Sequence, residues 1–199
     1  MTLQKTLYLT IDAGGTFLKS AILNQDGDVL EGSGFITRSF SEGSMEQILN
    51  AIRKTILNGI DYLKNRGEKP EGIGLAFPGP FDYERGTSMM QHKFRALLGV
   101  DLFKEIYSIP GVNSDLPVRF MSDTNTVLAG EIWKGNAIGF DNVAVVTLGT
   151  GLGFALSEGG VIICNSLGGP LIPIFSLPYR QGILEDYASK RGLNRIFQE

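Results

Sequence analysis

Cysteine and histidine are almost absent: Cys164 and His92 stand alone among 199 residues, which excludes an intrachain disulfide and a Cys/His zinc cage within one chain. A block of like charge is lacking too. The formal net charge of −3 comes from acids and bases spread along the chain, so neither a nucleic-acid face nor an anionic-membrane patch is expected. No apolar run approaches the roughly 18 to 20 residues that span a bilayer, and the N-terminus enters a strand-like pattern without a leader's apolar core and cleavage site. The cytoplasm is the expected compartment. Glycine, by contrast, is plentiful: 26 residues imply many tight turns, in a chain whose 43% hydrophobic content serves one large domain or two small ones.

Hydrophobic patterning gives an α/β order. Short apolar runs at Leu7 to Ile11 and Phe17 to Asn24 are followed by turn residues Gln25-Asp26-Gly27-Asp28 and a third run near Val29 to Phe35, which together predict three antiparallel strands. Ser44 and Gln47 form a capping-box pattern, and apolar residues then recur at helical spacing from Met45 to Leu63, up to Arg66-Gly67. Gly72 to Phe77 reads as a buried strand closed by Pro78-Gly79-Pro80, and a helix is expected between Val100 and Pro110. Val118 to Met121 reads as a strand running into Asp123, with Thr124 to Trp133 helical after it. Asn142 to Leu148 and Gly153 to Leu156 form a second strand pair around Gly149-Thr150-Gly151.

A weak internal echo runs through this order. Strand, glycine-threonine turn, strand occurs at Asp12 to Phe17 and again at Thr147 to Phe154, the pattern expected of two related halves facing a shared cleft. Such turns suit phosphate, because glycine lets backbone N–H groups approach an anion without a Cβ in the way and threonine adds a hydroxyl donor. Asp12 would repel a bare phosphate. It makes better sense beside a metal ion bridging phosphate oxygens, directly or through water, or as a turn acid capping local amides.

Four segments carry a family resemblance: Asp12-Ala13-Gly14-Gly15-Thr16, Gly74 to Pro80, Ser122-Asp123-Thr124-Asn125 with Gly130-Glu131, and Leu148 to Gly153. In order and spacing they resemble the ROK family (repressors, open reading frames and sugar kinases) of the actin-like ATPase superfamily. The resemblance implies two ribonuclease-H-like α/β domains with mixed sheets flanking a cleft, one over 1–117 and a partial second over 118–199. It further implies ATP-dependent phosphorylation of a hexose or N-acetylhexosamine hydroxyl, with Mg2+. Asp123 matches the family's catalytic base, which takes the proton of the attacking hydroxyl; the alternative is a helix cap. Asp12, Gly14, Gly15, Thr16, Gly149, Thr150 and Gly151 are expected at the phosphates, and Gly79, Ser122, Lys93 and Glu185 at the sugar. Lys19 is a further candidate at the phosphates, with an exposed strand lysine as the plainer reading. Asn125 is expected to pack and hydrogen-bond the loop rather than touch substrate, Glu131 to be a surface helix acid, and neither is assigned a role. A homodimer fits the family pattern.

Departures from that pattern define a second class, a non-catalytic sugar-responsive binding protein. Ser122 replaces the usual asparagine, and Gly169-Pro170-Leu171-Ile172-Pro173 stands where the family carries an acid and a histidine that meet sugar hydroxyls. The cysteine-rich zinc loop is missing, so no zinc site is expected. Lys93 stands in register with a sugar-binding asparagine, and with Arg95 it suggests a substrate carrying negative charge, although a solvated loop explains both. Family members run well beyond Glu199, so exposed apolar surface, altered oligomerisation or a pocket open on the adenine side is expected. No helix-turn-helix precedes the first hairpin, which disfavours a DNA-binding repressor.

Overall fold

The computed structural model describes residues 6–197. The first five residues, on which the expectation about a leader partly falls, and the last two lie outside that range. Two compact units emerge, Met1–Asp123 and Thr124–Glu199.

The first unit is built on a five-stranded mixed sheet of order β3-β2-β1-β4-β7. Strands β1 (Leu7–Ala13), β2 (Phe17–Asn24) and β3 (Phe35–Arg38) form the antiparallel meander, while β4 (Gly72–Phe77) and β7 (Val118–Ser122) run parallel to β1. Between β4 and β7 lie the small hairpin β5 (Phe81–Asp82) and β6 (Thr87–Ser88) and helix α2 (Leu102–Tyr107). Because β7 pairs with β4, it belongs to the first sheet, and the unit runs past the expected 117/118 boundary to Asp123.

Helix α1 (Met45–Lys64) starts at the expected capping box: the Gln47 N–H donates to Ser44 Oγ at 3.3 Å, and the Ser44 N–H donates to Gln47 Oε1 at 2.9 Å. Its buried stripe, Ile48, Ala51, Ile52, Thr55, Ile56, Gly59 and Leu63, covers the face of the sheet that carries Leu7, Leu9, Ile11, Leu18 and Ile22. Gly59 sets how closely the two can approach, since a Cβ there would stand 2.5 Å from Leu9 Cδ1.

The third strand begins later than its apolar run. Gly27 takes a left-handed φ of 77° and Asn24 Oδ1 accepts the N–H groups of Asp26 and Asp28, but after Val29, which only bridges Leu23, the chain leaves the sheet. The buried Ser33 hydroxyl accepts the Ile22 N–H at 3.0 Å and donates to the Leu30 carbonyl at 2.7 Å. A side chain thus fills the ladder position that the run Val29 to Phe35 was expected to occupy, and regular pairing resumes only at Phe35.

The second unit opens with helix α3 (Asp123–Lys134), whose first residue closes the first unit. A three-stranded sheet follows, β10-β9-β8, from β8 (Val143–Leu148), β9 (Leu152–Glu158) and β10 (Val161–Ile162). Its hairpin and Gly-rich turn repeat the topology of β1 and β2, as the internal echo predicts, and β10 adds a third antiparallel strand as β3 does in the first unit. The short pair β11 (Pro178–Tyr179) and β12 (Gly182–Ile183) and helix α4 (Lys190–Ile196) complete the described chain. Among the described residues no helix is long and apolar enough to cross a membrane.

Candidate functional site

In the first unit, three of the expected segments gather at the carboxyl ends of three adjacent parallel strands. The register pairs Asp12 of β1 with Ala76 of β4, and Phe77 with Ser122 of β7. Asp12, the Pro78-Gly79-Pro80 turn and Asp123 therefore lie within two strand spacings of one another, about 10 Å. Ligands of open α/β sheets bind at this end.

The first hairpin turn has a purpose-built backbone. The Gly14 N–H donates to the Phe17 carbonyl at 3.0 Å, and a Cβ on Gly14 would meet that same oxygen at 2.9 Å. The Gly15 carbonyl accepts both the Ser39 hydroxyl at 2.7 Å and the Ser41 hydroxyl at 2.5 Å, and the Ser39 N–H donates to the Thr16 carbonyl at 3.0 Å. A peptide plane carries its C=O and following N–H in opposite directions, so tying down the Gly15 oxygen aims the Thr16 N–H the other way. Among the described residues, the N–H groups of Gly15 and Thr16 meet no acceptor. Two donors at a glycine turn form an anion-binding concavity. Ser39 and Ser41, which brace it, escape sequence reading because they act through a carbonyl 24 and 26 residues away.

Asp12 is exposed on the sheet face opposite α1, directly across from Lys19, and neither forms an ion pair among the described residues. Its accessible carboxylate suits a cation already held by phosphate oxygens. Lys93 is drawn to the same turn: a Cβ on Gly15 would lie 3.3 Å from Lys93 Cδ and 3.8 Å from Nζ. His92 is exposed.

Asp123 is exposed where β7 gives way to α3, the junction the sequence predicts. Ser122 is 1% exposed and faces the core side of β7. Tyr83 was not anticipated. Its hydroxyl donates to the Phe77 carbonyl at 2.9 Å and lies 3.4 Å from where a Gly79 Cβ would stand, so it supports the turn after β4 from beneath. Burial first, and then the negative charge of Asp123, hold its phenol far above the ordinary tyrosine range. Its ring packs 5.1 Å from that of Phe81, which belongs to a cluster with Phe77, Phe94 and Phe120 whose neighbouring ring centroids lie 5.0 to 6.1 Å apart.

In the second unit, the N–H groups of Thr150 and Gly151 meet no acceptor among the described residues, whereas that of Gly149 turns inward to the Gly151 carbonyl at 3.0 Å. Glu185 sits against this same turn. Its Oε2 accepts the Leu152 N–H at 2.9 Å, and a Cβ on Gly151 would meet it at 2.7 Å. Gly151 thus makes room for a carboxylate of the chain itself, a contact that spacing does not reveal. Asn125, on α3, donates to Cys164 Sγ at 3.3 Å and to the Gly168 carbonyl at 3.5 Å, so it holds a loop 39 to 43 residues further along the chain. Glu131 Oε2 accepts the Asn136 N–H at 2.8 Å and closes the end of α3. Among the described residues, no three His, Cys, Asp or Glu side chains cluster as metal ligands.

Comparison with known proteins agrees with this architecture. The model of the ROK family matches residues 8–169. The glucokinase of Thermotoga maritima is 27% identical over 98% of this chain and 61% of its own length. The beta-glucoside kinase of Klebsiella pneumoniae is 30% identical over 73% of this chain and 44% of its own. Among solved structures, a ROK family glucokinase from Streptomyces griseus in complex with glucose and AMPPNP superposes with a TM-score of 0.73 at 26% identity, covering 96% of this chain and 59% of that one. The chain spans about three fifths of the length of the glucokinases of Thermotoga maritima and Halalkalibacterium halodurans. Its fold is that of the actin-like ATPase sugar kinases, and from the family match together with the paired Gly-rich hairpins it follows that the chain belongs to the ROK family.

Proposed function

We propose that the chain carries the catalytic portion of an ATP-dependent sugar kinase acting on a hydroxyl of a hexose or N-acetylhexosamine. One observation carries the reading: Asp12, the Gly14–Thr16 turn, the Gly79 turn and Asp123 share the carboxyl ends of β1, β4 and β7. Phosphoryl transfer needs little covalent chemistry from a protein; it needs positioning, charge stabilisation and a proton acceptor. The N–H groups of Gly15 and Thr16 hold a phosphoryl oxygen. Asp123 accepts the proton of the sugar hydroxyl as that oxygen bonds to the γ-phosphorus and the bond to the ADP oxygen breaks. Asp12 is the residue that would hold Mg2+, directly or through water, and the ion would neutralise charge on the phosphates. Gly149, Thr150 and Gly151 are the corresponding phosphate turn of the second unit. Because Ser122 is buried, Gly79 is the better sugar contact of the first unit, while Glu185, expected at the sugar, lies against the Gly151 turn of the second. ATP as donor is supported by the AMPPNP in the Streptomyces griseus complex, and a sugar as acceptor by the relatives named above.

Glu185 also favours a second reading. A carboxylate on the Leu152 N–H competes with phosphate for the second turn, as suits a sugar-responsive binding protein without turnover. An ADP-release assay with Mg-ATP and a panel of hexoses and N-acetylhexosamines separates the two. We expect sugar-dependent release that falls roughly 10²- to 10⁴-fold in Asp123→Asn. Sugar binding by calorimetry without any release would favour the binding protein.

A further inference from the structure

We infer that Lys93 is a phosphate-side cation, supplying the positive charge of the first hairpin rather than a contact to the sugar; the inference rests on the proposed role of that hairpin. Three observations converge on it. The methylenes of Lys93 lie along Gly15, with Cδ, Cε and Nζ at 3.3, 3.5 and 3.8 Å from the position a Cβ there would take, so its ammonium ends at the turn whose Gly15 and Thr16 N–H groups meet no acceptor. No ion pair among the described residues claims that ammonium. The loop bearing Lys93 is also anchored to the turn's own brace: the Phe94 N–H donates to the Ser41 carbonyl at 2.8 Å, and the Ser41 hydroxyl donates to the Gly15 carbonyl.

Phe94 fixes the approach. It holds a left-handed φ of 53° and its fully buried ring packs 5.3 Å from that of Phe77. A non-glycine residue in that conformation carries strain that its surroundings must outweigh. Here the buried ring and the bond to Ser41 hold it, so the preceding lysine is placed by the core rather than left to wander. The ammonium of a half-buried lysine beside a turn with two unpaired amides is a site for an anionic oxygen, a phosphoryl group above all. The same chemistry would also take the carboxylate of an acidic sugar.

Calorimetric titration of the 199-residue chain with inorganic pyrophosphate and, separately, with gluconate tells these sources apart. Lys93→Met keeps the stem over Gly15 and removes the charge; Lys93→Arg keeps the charge. The expected result is pyrophosphate affinity lowered about tenfold in Lys93→Met, held within about threefold in Lys93→Arg, with any gluconate binding unchanged. An unchanged pyrophosphate affinity in Lys93→Met overturns the inference while leaving the hairpin reading intact, as does a loss confined to gluconate. Absence of pyrophosphate binding in the parent chain overturns both. Equal thermal melting of the three proteins guards against reading a folding defect as lost affinity.

Discussion

Tyr83 shows how a single buried residue can link stability to the geometry of the candidate site. Its phenol is desolvated, donates to the Phe77 carbonyl and feels the charge of Asp123, all of which favour the neutral form. The folded chain therefore keeps this proton well above pH 10, where the unfolded chain releases it, and base favours unfolding. Tyr83 alone should make stability fall by about 1.4 kcal/mol per pH unit above pH 10. Comparing urea melts of the parent and Tyr83→Phe at pH 8 to 11 isolates the effect, since other groups titrate alike in both. At pH 8 the variant should be about 1 kcal/mol less stable, from the lost hydrogen bond, and the deficit should shrink or reverse as pH rises. A constant deficit would mean that the phenol is not held neutral. Tyr83 illustrates why part of the site escapes the sequence. Asp123, Gly14 and Gly15 are legible because their chemistry depends on residue type at a strand end, whereas Tyr83, Ser39 and Ser41 act on carbonyls of other segments, and any hydroxyl-bearing residue looks the same in the chain.

Elements were legible where local and long-range preferences coincide. The α1 helix has a capping box, a 3.6-residue apolar period and a terminating Asn65-Arg66-Gly67, so its limits follow from its own sequence. The run Val29 to Phe35 has strand-like composition, but Ser33 satisfies the Ile22 amide and Gly32 turns the chain with φ 73°. Its fate depended on a neighbour's unpaired N–H rather than on its own apolar residues. The packing of α1 on β1 yields a test of the same balance. Gly59→Ala gains about 0.5–1 kcal/mol of helix preference, yet the new Cβ would stand 2.5 Å from Cδ1 and 3.3 Å from Cγ of the fully buried Leu9. Overpacking of that kind costs about 1–3 kcal/mol. The clash should win, lowering the urea midpoint by an amount equivalent to about 1 kcal/mol; a stabilised variant would show that Leu9 has room to repack.

At the scale of the whole molecule, the second unit leaves several large apolar side chains in water. Leu7, Leu9, Ile11 and their neighbours in the first unit sit under α1 in a continuous core. In the second, Trp133, Ile138, Phe140, Val146 and Leu148 are each more than half exposed. Exposed apolar residues that share a face mark surfaces that associate, as Val146 and Leu148 do on β8, and the edge of β8 supplies the geometry for it. Among the described residues β8 pairs only with β9, and none of its six residues Val143–Leu148 is charged. Natural sheets protect such an edge with lysine, proline or a bulge; β8 has none of these. The chain should therefore self-associate through β8 at micromolar concentrations. A lysine at Val146, which is 54% exposed and opposite Phe154, would introduce an unpaired charge into that contact. Sedimentation velocity over roughly 1 to 100 µM should show association in the parent and a monomer in Val146→Lys, with both proteins melting at similar temperatures. Association that persists in the variant would locate the contact on another of these apolar surfaces, while a parent chain that stays monomeric would show that the β8 edge is tolerated in water.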